Sequence, residues 1–172
     1  HSFDCYVDAD FQGGWDIKTA SEDSTTAKSR TAYIIMYGGC PIVWASKMQT
    51  IIAFSSTEAE YVALSQSMRE TIPMIGLINE IKSKGFNIVS KTTKVHCKAF
   101  EDNHGAIELS RLPKLRPRTK HINIAYHHFR QYVSNGTIDV IPISTTEQRA
   151  DILTKPLPQN SFLKLRKYIC GC

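Results

Sequence analysis

Two kinds of hydrophobic spacing follow one another along this chain, and their order restricts the fold more than any other feature. Residues 3–7, Phe-Asp-Cys-Tyr-Val, alternate at period two, as a strand does when one face meets a core. Two further runs, Thr31 to Tyr37 and Pro41 to Ala45, flank Gly38-Gly39, a dipeptide suited to the positive φ angles of a tight hairpin turn. Another run, Thr50 to Phe54, is expected to extend this antiparallel meander. From Ser55 to about Lys84 the spacing becomes helical, with Tyr61, Leu64, Met68, Ile72 and Ile75 recurring at intervals of three and four. Pro73 is expected to kink or break that helix, and Lys82, Lys84 and Gly85 supply its stop signal.

The rest of the chain alternates between the two spacings. Val95 to Phe100 reads as a strand, Asn103 to Leu109 as a short helix, Ile122 to Val133 as helical and Ile138 to Ile143 as a strand. Glu147 onward reads as helix until Pro156 or Pro158, and Phe162 to Ile169 as a last amphipathic segment. Residues 11–29, rich in Gly, Ser, Thr and Asp, form a loop. The order βββαβαβα, with an extra helix before the last strand, predicts an α/β chain whose mixed sheet is covered by helices. At 172 residues and 42% hydrophobic content, one domain can bury a core without metal or disulfide staples. The five cysteines form no CxxC pair, and their odd number argues for a reducing compartment, with Cys5 and Cys97 as small buried hydrophobes. There is no signal-peptide core and no long apolar span, so no membrane partner is expected. The sequence opens almost inside its first strand without an initiator Met, which suggests a piece of a larger polypeptide.

Chemistry enters through four acids, Asp8, Glu60, Asp102 and Asp151, each near a strand end or helix start. Carboxylates so scattered can converge to hold two divalent ions ~3.5–4 Å apart, the arrangement that hydrolyses phosphodiesters. A formal charge of +5 around an acidic pocket suits a polyanionic substrate. Each acid also has a plainer use. Asp8 ends a strand, but falls opposite Val7, on the face of Tyr6 and Asp10; Asp10 suits the turn that follows. Ser55 with Glu58 and Thr57 with Glu60 both spell capping boxes, which leaves open which glutamate is free. Asp102 suits the N-cap of the helix after it. Ser144 with Glu147 spells another box and leaves Asp151 about two turns inside its helix, with Glu147 on the same face as an auxiliary acid. The histidines lack the HExxH spacing of a zinc site. Lys114, Arg116, Arg118, Lys120 and His121, stiffened by Pro113 and Pro117, read either as a solvated loop or as a clamp on backbone phosphates. Trp15, Tyr33 and Trp44 are of a type that stacks on bases, though alternation assigns Trp44 to the core.

Six motifs in order cover nearly the whole chain. They are Tyr6-Val-Asp8-Ala-Asp10; Gly39 through Ser46 with Lys47 and Gln49; Ser55-Ser-Thr-Glu-Ala-Glu60-Tyr-Val-Ala-Leu64; Glu101-Asp-Asn103 with Ala106-Ile107; Thr119-Lys-His-Ile122 with Tyr126-His127; and Ala150-Asp-Ile-Leu-Thr-Lys-Pro-Leu157. Together they resemble the RNase H domain of copia-type LTR retrotransposon polyproteins. The resemblance implies an RNase H-like fold with a five-stranded mixed sheet, residues 1–172 forming one RNase H domain in the C-terminal part of a Pol polyprotein. It implies hydrolysis of the RNA strand of an RNA/DNA hybrid during reverse transcription, with two Mg²⁺ ions (Mn²⁺ a possible substitute) on Asp8, Glu60, Asp102 and Asp151. It selects Glu60 over Glu58. Substrate contacts are expected from the 114–121 cations together with Lys28 and Arg30, and the polyprotein's own reverse transcriptase domain is the expected partner. The setting implied is intracellular, in a cytoplasmic virus-like particle or the nucleus. Many cellular RNases H carry a histidine before the last catalytic helix; Ser144 to Arg149 contains none, so His121, His127 or His128 is a candidate replacement. Two rival readings are a catalytically silent nucleic-acid tether and a DNA-cutting nuclease of the same fold.

Overall fold

Strand β1 (Ser2–Asp10) lies at the centre of a five-stranded sheet of order β3-β2-β1-β4-β5 in this computed structural model, which describes residues 2–16, 18, 23–86, 94–112 and 124–171. It pairs antiparallel with β2 (Arg30–Tyr37), which pairs antiparallel with β3 (Cys40–Met48). On its other side β1 runs parallel to β4 (His96–Glu101), and β4 runs parallel to β5 (Ile138–Pro142). The expected mixed sheet and its opening hairpin are thus present. Gly38 and Gly39, at φ +60° and +83°, make the tight turn that residues with a Cβ disfavour.

The two faces of β1 carry different contents. Phe3, Cys5, Val7 and Ala9 point into the large core, beneath the long helix α1 (Ser56–Ser83), together with Tyr61, Leu64, Met68, Cys97, Ala99, Ile138 and Val140. Tyr6 points to the opposite face, where a smaller cluster of Ala32, Ile34, Met36 and Ala150 is joined by Ile152, Leu153 and Ile169. A 3-10 segment (Arg149–Leu153) and helix α4 (Gln159–Cys170) cover that second face. Arg149 fastens the cover, its guanidinium stacking 4.5 Å from the Tyr6 ring centre and 5.3 Å from that of Tyr168.

Four local expectations need correction. Pro73 does not break α1: it lies on the solvent side with Arg69, so the Arg69 carbonyl it leaves without a helical donor faces water. Residues 50–54 add no strand, because Gln49 is buried and its side-chain amide donates to Thr31 Oγ1 (3.0 Å) and the Ala59 carbonyl (2.8 Å), drawing the chain off the sheet toward α1. Trp44 is 63% exposed, since Val43 and Ala45 are the β3 side chains that pack on the large core and Trp44, between them, falls on the other face. The helix expected over Ile122 to Val133 consists, among the described residues, of a 3-10 turn (Ile124–His127) and the short helix α3 (Arg130–Ser134), with buried Phe129 between them against Tyr61. The remaining short helix, α2 (His104–Arg111), forms where expected.

Candidate active site

Ligand oxygens of Asp8, Glu60 and Asp102 lie within 4.8 Å of one another at one end of the sheet. Local capping decides why these acids, and not their neighbours, are available. Ser55 is the N-cap of α1, its Oγ accepting from the Glu58 amide at 3.1 Å, while the Glu58 carboxylate accepts from the Phe54 amide at 2.8 Å. Glu58 is therefore occupied by the helix start, and Glu60, two residues on, turns toward Asp8. Asn103 performs the same service for α2, its Oδ1 accepting from the Ala106 amide at 3.1 Å, so Asp102 is not the cap. A Cβ on Gly105 would meet Thr57 Oγ1 at 2.6 Å, and this close approach seats the start of α2 against α1. It draws the chain just after Asp102 toward the first turn of Glu60's helix.

Asp151 comes from a different kind of element than its spacing predicted. The helix expected from Glu147 onward is two 3-10 segments, Thr145–Glu147 and Arg149–Leu153, separated by the extended, buried Gln148. Gln148 donates from Nε2 to the Phe100 carbonyl (3.3 Å) and accepts the Ala150 amide at 3.4 Å, pinning the break. Asp151 lies in the first turn of the second segment, 5% exposed. Glu147 makes an ion pair with Lys164 of α4.

Sequence reasoning missed three residues of this site. Lys155 reaches between two of the acids, with Nζ 3.0 Å from Asp8 Oδ1 and 2.8 Å from Asp151 Oδ1. Thr154 donates its hydroxyl to Asp8 Oδ2. Glu101, fully buried, accepts the Asn103 amide on Oε1 at 3.0 Å and has no hydrogen-bond partner for Oε2. Burial, followed by the charges of Glu101, Asp8 and Asp102, pushes the Glu60 carboxyl far above the ordinary range. Burial likewise raises Glu101, and it raises Asp151 to about 6 against the opposing pull of Lys155. The signal for Lys155 was its i+4 spacing from Asp151; nothing local marked Glu101 as buried.

The remaining expected site residues are more dispersed. Asp10 accepts from the Arg30 backbone amide across the β1–β2 ladder, and the Arg30 guanidinium reaches Ser46 Oγ at 3.4 Å. Lys28 closes the 3-10 turn Ser24–Ala27, just before β2. His127 Nδ1 lies 2.8 Å from the Tyr61 hydroxyl, and His128 Nδ1 lies 3.4 Å from Ser65 Oγ, both along α1. Lys114, Arg116, Arg118, Lys120 and His121 lie outside the described residues. Trp15 is 51% exposed and Tyr33 is buried.

Known proteins agree with this architecture. The chain is 36% identical over 96% of its length to a retrovirus-related Pol polyprotein from transposon TNT 1-94 of Nicotiana tabacum. It is 35% identical over 94% of its length to another from transposon RE1 of Arabidopsis thaliana. It spans about a tenth of the length of these curated relatives, 11% and 10% respectively. No family model matches. Among solved structures, an RNase H1 isolated from compost by a metagenomic approach superposes with a TM-score of 0.56 at 15% identity, over 95% of this chain and 96% of that one. This chain is a relative of copia-type Pol polyproteins and has the RNase H fold. In that fold the acids gather where β1, β4, the first helix and the final 3-10 segment meet. No described helix of this Pol relative is long and apolar enough to cross a membrane.

Proposed function

We propose that this chain is a metal-dependent ribonuclease H that cuts the RNA strand of RNA/DNA hybrids during reverse transcription of a retrotransposon. The observation that carries the reading is the convergence of Asp8, Glu60 and Asp102 within 4.8 Å, with Asp151 tied to the same Asp8 carboxylate through Lys155. A divalent cation fits these residues. Three carboxylates this close repel one another, and Glu60 Oε2 is buried without a hydrogen-bond partner, so a cation would satisfy both the charge and the orphaned oxygen. Asp8, Glu60, Asp102 and Asp151 would hold two Mg²⁺ ions, with Mn²⁺ as substitute. When bound, the ions would supply Lewis-acid chemistry, lowering the pKa of water and neutralising charge at the leaving oxygen.

The chain's own residues set the frame for that chemistry. β1 and the 3-10 segment bring Asp8 and Asp151 together from opposite ends of the sequence, and the caps at Ser55 and Asn103 keep Glu60 and Asp102 unspent. Water adds to the scissile phosphorus, the 3′ oxygen departs and takes up a proton, and the products carry a 5′-phosphate and a 3′-hydroxyl. Hybrid selection in this reading comes from 2′-hydroxyl contacts to the RNA strand and a phosphate grip on the DNA strand. Lys28 and Arg30, at the β2 entrance beside Asp10, and the cations of residues 114–121 would form that grip. The chain would act as the RNase H domain in the C-terminal part of a Pol polyprotein. It would work beside the reverse transcriptase domain, inside a cytoplasmic virus-like particle or the nucleus.

The test is a cleavage panel with 5′-labelled RNA in a hybrid, single-stranded RNA and duplex DNA, with Mg²⁺, with Mn²⁺ and with chelator. Metal-dependent cutting of hybrid RNA alone, by the domain or by a polyprotein fragment that includes the polymerase, is the expected result. Cutting of duplex DNA would instead assign a different nuclease, and hybrid binding without cutting by either protein would make the domain a tether.

A further inference from the structure

Lys155 stands out because it already does at this site what a metal ion would do. Its ammonium bridges Asp8 Oδ1 at 3.0 Å and Asp151 Oδ1 at 2.8 Å, joining two carboxylates that are both almost wholly buried. The second carboxylate oxygen of Asp8 accepts from Thr154. On the other side, Asp8 also belongs to the cluster with Glu60 and Asp102, and no ion pair bridges that cluster among the described residues. The acidic centre therefore has two halves that share Asp8, and only one of them is neutralised from within.

We infer that Lys155 is a resident cation that occupies the Asp8–Asp151 half of the site and must leave before a divalent ion can bind there. The inference rests on the metal-dependent reading given above. A divalent ion needs carboxylate oxygens at about 2.0–2.1 Å if it is Mg²⁺, and an ammonium already hydrogen-bonded to the same oxygens would stand within a few ångströms of it as a like charge. The two cannot share the half-site at low cost. The lysine has a way out: its side chain is 36% exposed, and its four-carbon stem is flexible. It follows that the two metal positions are unequal. The Asp8–Glu60–Asp102 half loads without displacing a lysine, whereas the Asp8–Asp151 half loads only against Lys155. Once displaced toward solvent, the ammonium is available to an incoming phosphate. Arrival of a nucleic-acid strand would then favour filling of the second half-site. Lys155 is in this sense a positioning residue that links metal loading to substrate.

Isothermal titration of Mn²⁺ into the substrate-free protein tests this, with wild type compared to Lys155→Gln and Lys155→Arg at one pH and ionic strength. Wild type should show one tighter and one weaker event. In Lys155→Gln the weaker event should tighten on the order of tenfold, as expected when a like charge a few ångströms away is removed, while Lys155→Arg, which keeps the charge, should follow wild type. A second measurement uses only the wild-type chain and so does not depend on any variant folding: acetylation of the Lys155 amine, read by mass spectrometry. Labelling should be slow without metal and faster once Mn²⁺ saturates the site. Wild type and Lys155→Gln with the same isotherm, or Mn²⁺ saturation that leaves Lys155 labelling unchanged, would overturn the inference while the metal-dependent reading stands. Absence of Mn²⁺ binding to any of the three proteins would overturn both.

Discussion

The two faces of β1 differ in what they carry. Toward α1 it presents Phe3, Cys5, Val7 and Ala9 to a large core of fully buried side chains such as Tyr61, Leu64 and Phe129. Toward the other face it presents Tyr6 and then Asp8, covered by a short 3-10 segment and by α4, of which only Leu165 is buried. The first face supplies most of the apolar burial and so most of the stability. The second is a thin apolar cover that ends at a set of carboxylates, where charge is concentrated instead of excluded. One strand thus serves both ends: the dry face fixes its position, and the position of Asp8 follows from it.

The largest effect is expected at the charged end of β1. Asp8→Asn should reduce hybrid cleavage on the order of 10⁴-fold, the scale seen when a member of a cooperating catalytic set is removed. Far-ultraviolet circular dichroism and a thermal melt of the same variant should show it folded, because the dry face is untouched. Loss of the fold in that variant would mean that Asp8 is chiefly structural.

At the dry face the expected effect is on stability. Leu64→Ala should cost about 2–5 kcal/mol in urea unfolding, as for a fully buried leucine that leaves a cavity. Ile152→Ala, in the partly buried cover of the second face, should cost less. Equal costs would show that the second face is packed as well as the first.

The acids give a pH-dependent contrast. Glu60, Glu101 and Asp151 are all raised above their unfolded values, Asp151 from 3.8 to about 6. A carboxyl raised on folding binds more protons in the native state than in the unfolded one, so its contribution to stability declines as pH rises from the unfolded value through the folded one. For Asp151 that window is about pH 4 to 6, and for Glu60 and Glu101 the loss continues to higher pH. Without divalent metal the chain should therefore be stabilised by Glu101→Gln, by on the order of 1–3 kcal/mol at pH 8 and less at pH 5, because the variant keeps an acceptor for the Asn103 amide and need take up no proton on folding. Chemical denaturation at the two pH values measures the difference. A destabilised Glu101→Gln at pH 8 would show that the charged form is the one the fold requires.

The smallest effect separates two neighbouring glutamates. Glu58→Gln removes only the charge of a capping contact and should cost less than about 1 kcal/mol of stability, with cleavage unchanged. Glu60→Gln should abolish cleavage. Reversal of that pair would exchange their roles.

Much of this was legible because capping and periodicity are local. The hairpin at Gly38-Gly39 and the starts of α1 and α2 follow from residues within a few positions, although Asn103 rather than Asp102 proves to be the cap of α2; the caps at Ser55 and Asn103 leave Glu60 and Asp102 to the site. Period two likewise put Asp8 on the face opposite Val7. What failed depended on distant partners. Gln49 is taken by Thr31 and Ala59, Gln148 by Phe100, and Pro73 is tolerated because of the side of the helix it occupies. Trp44 was misplaced by one step of register, which in a strand reverses the face. Lys155 and Glu101 join the site only through the fold: one reaches across to Asp8 from 147 residues away, and the other is fully buried on β4, whose outer neighbour β5 comes later in the chain.

The claim that this acidic centre is a metal site is tested most directly by anomalous diffraction from crystals soaked in Mn²⁺. The account predicts a peak bounded by Asp8, Glu60 and Asp102, present in wild type and absent in Asp8→Asn. A wild-type crystal with no peak among these carboxylates at saturating Mn²⁺, or with its peak elsewhere, would contradict it.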